Sequence, residues 1–193
     1  MVKKSVFKIY IFRHGRTVDN INGRFSGWRD SKLAKSGKDD AKIVALRLKN
    51  KKIGIAFHSR LFRSIDTLKE VLKFHKNVKI LKDDRIIERN YGDLNGFTHL
   101  EIVKKFGAHK YDEWHRTFFA RPPRGESFAD IEKRVKSFIK DLIKIIKKQK
   151  TNVAISAHGN SIRLFRKIME KKSEKEAVTW EIPYDKVFEY SIK

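Results

Sequence analysis

The stretch Val6-Phe7-Lys8-Ile9-Tyr10-Ile11-Phe12-Arg13-His14-Gly15 decides how this chain is read. Its apolar part has the residue types of a buried strand, and that strand releases a histidine between an arginine and a glycine. Glycine lets the backbone turn sharply and come close to a ligand. Arginine offers a forked, permanently charged donor suited to phosphate. A histidine whose second ring nitrogen is held by a partner can act as a nucleophile. A tripeptide is weak ground by itself, so the weight falls on what surrounds it.

Working outward, strand and helix signals alternate along the chain. Ser36-Gly37 opens a helix carrying Ala41, Val44, Ala45 and Leu48 on one face, and Ile53–Phe57 reads as a short buried strand. Leu61, Ile65, Leu68 and Leu72 then recur at helical spacing, and Val78–Leu81 reads as another strand. A polar, Gly-rich middle follows, with short helices expected over 98–106 and 111–119 and Gly107 as a stop between them. Ser127 with Asp130 three residues on resembles a capping box and opens the longest helix, whose expected buried stripe is Ile131, Val135, Phe138, Leu142 and Ile145. Asn152–Ser156 is a strand, Ile162–Met169 a helix and Val187–Ile192 a closing strand. The expectation is a single α/β domain over 1–193, a three-layer sandwich with a mostly parallel central sheet flanked by helices. Ligands in such folds bind beyond the carboxyl ends of the strands.

Three strands release polar, cationic sequence at that edge: Arg13-His14-Gly15, then His58-Ser59-Arg60 leading to Arg63, then His158-Gly159-Asn160. Two histidines with arginines, no cysteine, no carboxylate cluster and no third ligand at short spacing argue against a divalent metal site. A cluster of positive donors suits a phosphoryl group, whose transfer is mostly positioning and charge stabilisation. A histidine nucleophile there would form a phosphohistidine, and the leaving oxygen would need a proton from one carboxylic acid. Glu88, in Ile86-Ile87-Glu88-Arg89-Asn90-Tyr91-Gly92, is the candidate. Duller readings stand beside these: Arg63 paired with Asp66 on a helix surface, and Glu88 solvated beside Arg85 or Arg89. Trp28, Trp114 and Trp180 are read as packing residues.

The chain has 193 residues, 40% of them hydrophobic and 36% charged, and no cysteine, so disulfides, thiolate metal sites and cysteine nucleophiles are excluded. No apolar run has membrane-spanning length, and Met1-Val2-Lys3-Lys4 does not begin a signal peptide, which gives a cytoplasmic expectation. Forty-six Lys+Arg stand against 23 Asp+Glu, a formal +23. That excess attracts anions and could hold nucleic acid without specificity, but lysines scattered over solvated faces, such as Lys144, Lys147, Lys148 and Lys150, account for much of it. No nucleic-acid-binding signature accompanies the charge.

The residues then match a known family. Arg13-His14-Gly15 with Asn20, Arg24-Phe25-Ser26-Gly27-Trp28, Asp30, Leu33 and Gly37 resembles the opening of the cofactor-dependent phosphoglycerate mutases of the histidine phosphatase superfamily. The likeness continues through Ser59-Arg60-Leu61-Phe62-Arg63, Thr67, Glu88-Arg89-Asn90-Tyr91-Gly92-Asp93-Leu94-Asn95-Gly96, Trp114-His115-Arg116, Pro122-Pro123, Gly125-Glu126-Ser127, Ala157-His158-Gly159-Asn160-Ser161-Ile162-Arg163 and Ile182-Pro183. By that resemblance His14 is the phosphorylated nucleophile, Arg13, Arg63 and His158 hold the phosphoryl group, and Glu88 is the acid and base. Asn20, Ser26, Gly27, Arg89, Tyr91, His99, His115, Arg116, Gly159 and Asn160 would hold the rest of the ligand. The resemblance implies interconversion of 3-phosphoglycerate and 2-phosphoglycerate, an isomerase step of glycolysis and gluconeogenesis. It is primed by 2,3-bisphosphoglycerate and uses no metal. The partner implied is a small phosphorylated substrate, with no specific nucleic acid or membrane; a homo-oligomer is left open.

Four positions depart from the pattern. Arg121-Pro122-Pro123 passes almost directly to Gly125-Glu126-Ser127, as in short-form members. His115 stands where the family usually has the first of two arginines, His99 where it usually has lysine, and Arg16 where it usually has glutamate. The rival within the superfamily is a phosphomonoesterase that shares His14, Arg13, Arg63, His158 and Glu88 but releases phosphate to water. The rival outside it is a basic nucleic-acid-binding protein on a degenerate enzyme fold, disfavoured because each expected catalytic position holds the right residue type.

Overall fold

The computed structural model describes residues 5–193; Met1–Lys4, ahead of the first strand, lie outside the described residues. The strands are β1 (Phe7–Arg13), β2 (Ile55–His58), β3 (Lys79–Lys82), β4 (Val153–Ala157) and β5 (Val187–Ile192). The helices are α1 (Val18–Ile21), α2 (Lys35–Leu48), α3 (Phe62–Leu72), α4 (His99–Phe106), α5 (Ala108–Arg116), α6 (Phe128–Gln149), α7 (Gly159–Glu170) and α8 (Glu174–Thr179). One sheet has the order β3-β2-β4-β1-β5, parallel except for the antiparallel edge strand β5. Ile9 and Ile55 both register on Val153, and Ile11 and Phe57 on Ile155, so β1, β2 and β4 end level and deliver their loops to one edge.

Alternation along the strands sorts the two faces. Ile9, Ile11, Ile55, Phe57, Val153 and Ile155 meet α6 and α7 through Ile131, Val135, Phe138, Leu142, Ile162 and Phe165. Tyr10, Phe12, Ala56 and Ala154 meet α2 and α3 through Val44, Leu48, Leu68 and Val71. A smaller cluster of Phe25, Leu94, Ile102 and Trp114 ties α4 and α5 to the loop after α1, away from the sheet. Each fully buried aliphatic or aromatic side chain in these layers contributes roughly 1.5–3 kcal/mol of transfer free energy.

Most boundaries fall within three residues of the expectation, and the departures have local causes. The last buried residue of α6 is Ile146 rather than Ile145, because 3.6 residues per turn carries the stripe from Leu142 between the two. On α3, Ile65 and Leu72 are only half buried, while Ser64, Thr67 and Val71 join Leu68 beneath the helix. Polar residues can occupy that face because the backbone satisfies them: Ser64 Oγ donates to the Ser156 carbonyl at 2.7 Å, and Thr67 Oγ1 to that of Arg63 at 2.8 Å. Helix α5 starts three residues early, directly after Gly107, whose φ of 83° turns the chain between α4 and α5. Helix α7 likewise starts at Gly159, immediately after His158.

Candidate active site

Backbone contact fixes where His14 goes. Its N–H donates to the Ala157 carbonyl at 3.0 Å, holding the end of β1 against the end of β4. The next residue, Gly15, packs against Gly37 at the start of α2 so closely that a Cβ on either would collide with backbone carbonyl oxygen. Gly15 N–H donates to Thr67 Oγ1 at 3.0 Å, which joins this loop to α3. Three elements therefore set one histidine, which is only 2% exposed.

The hydrogen bonds of His14 define its chemistry. Nδ1 lies 2.8 Å from the Gly15 carbonyl oxygen, which can only accept, so Nδ1 carries the proton. Nε2 accordingly keeps its lone pair and accepts from Nε of Arg63 at 3.2 Å. Burial first, then the Arg63 and Arg13 guanidiniums, hold the pKa of His14 well below the ordinary histidine value, so the ring is neutral at pH 7. An uncharged imidazole with its free lone pair beside a guanidinium is a nucleophile already facing an anion-stabilising group.

Arg63 is 1% exposed and anchored by the carbonyls of Arg29 at 2.8 Å and Gly27 at 2.7 Å. It is no surface partner of Asp66, which pairs with Lys69. Arg13 donates to the Ile182 carbonyl at 3.0 Å and stacks on Tyr184, its guanidinium carbon 3.9 Å from the ring centre. His158, fully buried at the N-cap of α7, has its ring 5.0 Å from that of His14. Ser59 Oγ sits 2.7 Å from Nε2 of His158 and also accepts from Leu61 N–H; when its proton serves Nε2, the imidazole proton lies on Nδ1. Besides Nδ1 of His115 on α5, three buried polar atoms in this small volume have no protein partner: Nε of Arg13, Oγ of Ser26 and Nδ1 of His158. All can donate, which suits the oxygens of a phosphoryl group.

Glu88 is 8% exposed and lines the same cavity. Its Oε1 accepts from the backbone N–H groups of Arg89 at 2.8 Å and Asn160 at 3.1 Å, which places it at the N-terminus of α7. Arg85, its expected surface partner, is instead bound to Asp83 and Asp141. Trp28 does more than pack: its indole N–H donates to the Glu88 carbonyl at 2.8 Å and fixes that loop.

The cavity, of about 170 Å³, is lined by Arg13, His14, Arg63 and Glu88. Asn20, Ser26, Gly27, Tyr91, Gly159 and Asn160 also line it, and His99 and His115 form part of the wall supplied by α4 and α5. Of the expected residues, His158 is buried beside the His14 ring without lining the cavity itself, and two stand elsewhere. Arg89 is buried behind the wall, its guanidinium bonded to the carbonyls of Glu126 at 2.7 Å and Ala120 at 3.1 Å, and Arg116 is exposed on α5. Neither lines the cavity. Two arginines absent from the expected set do line it: Arg24, held by the Gly96 carbonyl, and Arg163, held by the Trp180 carbonyl and Asn160. Arg163 was findable in principle, since it lies one helical turn after Asn160 on a helix opening with His158-Gly159.

Comparison with known proteins agrees with this geometry. The model of the histidine phosphatase superfamily (branch 1) matches residues 9–192. The 2,3-bisphosphoglycerate-dependent phosphoglycerate mutase of Cytophaga hutchinsonii is 36% identical over 86% of this chain and 78% of its own. Among solved structures, Bacillus stearothermophilus YhfR superposes with a TM-score of 0.85 at 25% identity, over 95% of this chain and 90% of its own. A putative alpha-ribazole-5'-P phosphatase from Escherichia coli gives 0.82 at 20% identity, over 97% and 91%, and shares the fold. The chain belongs to the histidine phosphatase superfamily, branch 1, and to the phosphoglycerate mutase family within it.

Proposed function

We propose that the chain interconverts 3-phosphoglycerate and 2-phosphoglycerate through a phosphohistidine at His14, primed by 2,3-bisphosphoglycerate. The observation that carries this reading is the neutral His14, lone pair on Nε2, ringed by Arg63 and three unpartnered buried donors. In the forward step Nε2 attacks phosphorus, and the bond from phosphorus to the ester oxygen breaks. Arg13, Arg63 and His158 stabilise the charge spread over the three non-bridging oxygens. Glu88 gives its proton to the departing hydroxyl oxygen and, in the return step, takes the proton of the hydroxyl that attacks the phosphohistidine. Ser26, Asn20, Tyr91 and Asn160 orient the rest of the substrate, and Arg24 and Arg163 supply charge for its other anionic groups. The bisphosphate suits the same donor set, since it presents two phosphoryl groups and a carboxylate to a cavity lined by Arg13, Arg24, Arg63 and Arg163.

A phosphomonoesterase is the second reading, favoured by one observation. The wall formed by α4 and α5 carries two uncharged histidines, His99 and His115, where a bisphosphate intermediate would be retained by cations. Purified protein given 3-phosphoglycerate with and without 2,3-bisphosphoglycerate separates the two. Formation of 2-phosphoglycerate dependent on the primer supports the mutase; phosphate release from assorted monoesters without isomerisation sinks it.

A further inference from the structure

His99 and His115 face the same cavity but stand in different surroundings. Their ring centres are 5.5 Å apart, and both pack on Phe25 and Tyr111. Nδ1 of His99 lies 2.9 Å from the Tyr111 hydroxyl. A hydroxyl can donate to a neutral imidazole nitrogen or accept from a protonated one, so His99 can gain a proton without losing this bond. His115 lacks such a protein partner: its Nδ1 is buried and bonded to nothing in the protein.

The charges around the pair come from several elements and are mostly positive. Arg116 of α5 acts on both rings, and Arg163 of α7 and Arg89 act on His115. Arg24 lines the same cavity from the loop after α1. On α4 itself, Glu101 is tied to the Thr98 N–H and lies 3.8 Å from Arg24. Tyr91 is pushed toward its neutral form by burial, and Asp112 acts on Tyr111 rather than on the pair. For His115, burial, Arg116, the neighbouring His99, Arg163 and Arg89 together bring the pKa down to about 3. For His99 the lowering comes from burial and from Arg116 alone. A ligand anion within about 4–6 Å shifts a neighbouring pKa by 1–3 units, enough to reverse one opposing cation but not several.

We propose that His99 is a proton-linked anion contact: it takes up a proton when a ligand carrying a second anionic group binds, while His115 stays neutral. The inference rests on the reading of this cavity as a phosphoglycerate site. It makes retention of the bisphosphate depend on pH at one identified side chain, whose bond to the Tyr111 hydroxyl holds in either protonation state.

The test is nitrogen-15 NMR of the histidine rings in the whole protein at pH 7, with His99 and His115 assigned through H99Q and H115Q. Saturating 2,3-bisphosphoglycerate should move His99 to the imidazolium pattern and leave His115 neutral. Inorganic phosphate, with one anionic centre, should perturb His14 and His158 but leave His99 neutral. A His99 that stays neutral when the bisphosphate has displaced the His14 and His158 signals overturns the proposal, as does a bisphosphate that fails to bind. A second measurement guards against a merely structural role for His99. The apparent Kd for the bisphosphate should rise with pH more steeply in the wild type than in H99Q, by at most about tenfold per pH unit for one proton. H99K should restore tight binding at pH 8. The mutase reading is judged separately by isomerisation: product formed while His99 stays neutral refutes only this inference, and proton uptake without isomerisation refutes only the mutase.

Discussion

His14 is uncharged at neutral pH because burial and two guanidiniums oppose its protonation, and its tautomer follows from a single carbonyl. A nucleophile of ordinary histidine pKa would lose its lone pair on acidification through 6.5. Phosphoenzyme formation in single-turnover experiments should therefore hold its rate as pH falls from 7.5 to 6, and a drop centred near 6.5 would contradict the site geometry. His14→Ala should abolish the acid-labile phosphoenzyme; label that persists would place the nucleophile elsewhere. Glu88→Gln keeps the hydrogen bonds from Arg89 and Asn160 but removes the transferable proton, so kcat should fall about 10²–10⁴-fold while KM changes little. His14, Arg63, His158 and Glu88 were legible in the sequence because each sits at or near the end of an apolar strand or pair. Arg24 and Arg163 stand in the family-like stretches but carry no assigned role there, because that role depends on loops and a helix turn that meet only in three dimensions. Arg89 follows the catalytic candidate directly in sequence, yet the turn there sends it behind the wall, where carbonyls hold it.

At the scale of elements, α3 illustrates why periodicity gave the helix but not its buried face. The apolar positions Ile65 and Leu72 suggested one stripe, whereas the helix rotates to bring Arg63, Ser64 and Thr67 under the strand ends. That rotation is what aims Arg63 at His14, so a less apolar contact is the condition of the site. Thr67→Val tests the coupling. It leaves the Gly15 N–H without its acceptor, which costs about 1–3 kcal/mol for a buried donor. Because Gly15 adjoins the nucleophile, kcat should fall along with the urea midpoint. Phe138→Ala, in the core between β2 and α6, should cost about 3–5 kcal/mol and leave kcat of the folded fraction unchanged. Equal loss of activity in both variants would mean that Thr67 acts only through global stability. Helix α8, by contrast, left little trace in periodicity: it has six residues, and its start is set by the Ser173–Glu176 capping box.

At the scale of the whole molecule, the formal charge of +23 and the buried histidines bear on stability in different ways. His14 and His158 have folded pKa values well below the ordinary one, so below about 6.5 the unfolded chain binds protons that the folded chain refuses. Stability must then fall as pH drops through that value, by up to about 1.4 kcal/mol per pH unit for each of the two histidines. Self-repulsion among lysines adds to the fall, but it is carried largely by solvated side chains. Lys133, Lys136, Lys140, Lys144 and Lys147 lie exposed on α6 opposite its buried stripe, and none lines the cavity. Salt separates the two effects, since exposed charges are screened within a Debye length of about 8 Å at 0.15 M and buried groups much less. Raising NaCl from 0.02 to roughly 0.5 M, where screening is nearly complete, should raise Tm at pH 7. The decline of the urea midpoint between pH 7 and pH 5 should survive that salt. If the decline vanishes, repulsion and not histidine burial sets the acid limit of this fold. The same titration of salt should lower kcat/KM for anionic substrates, because the field that draws them in is screened while the arginines inside the cavity keep their contacts.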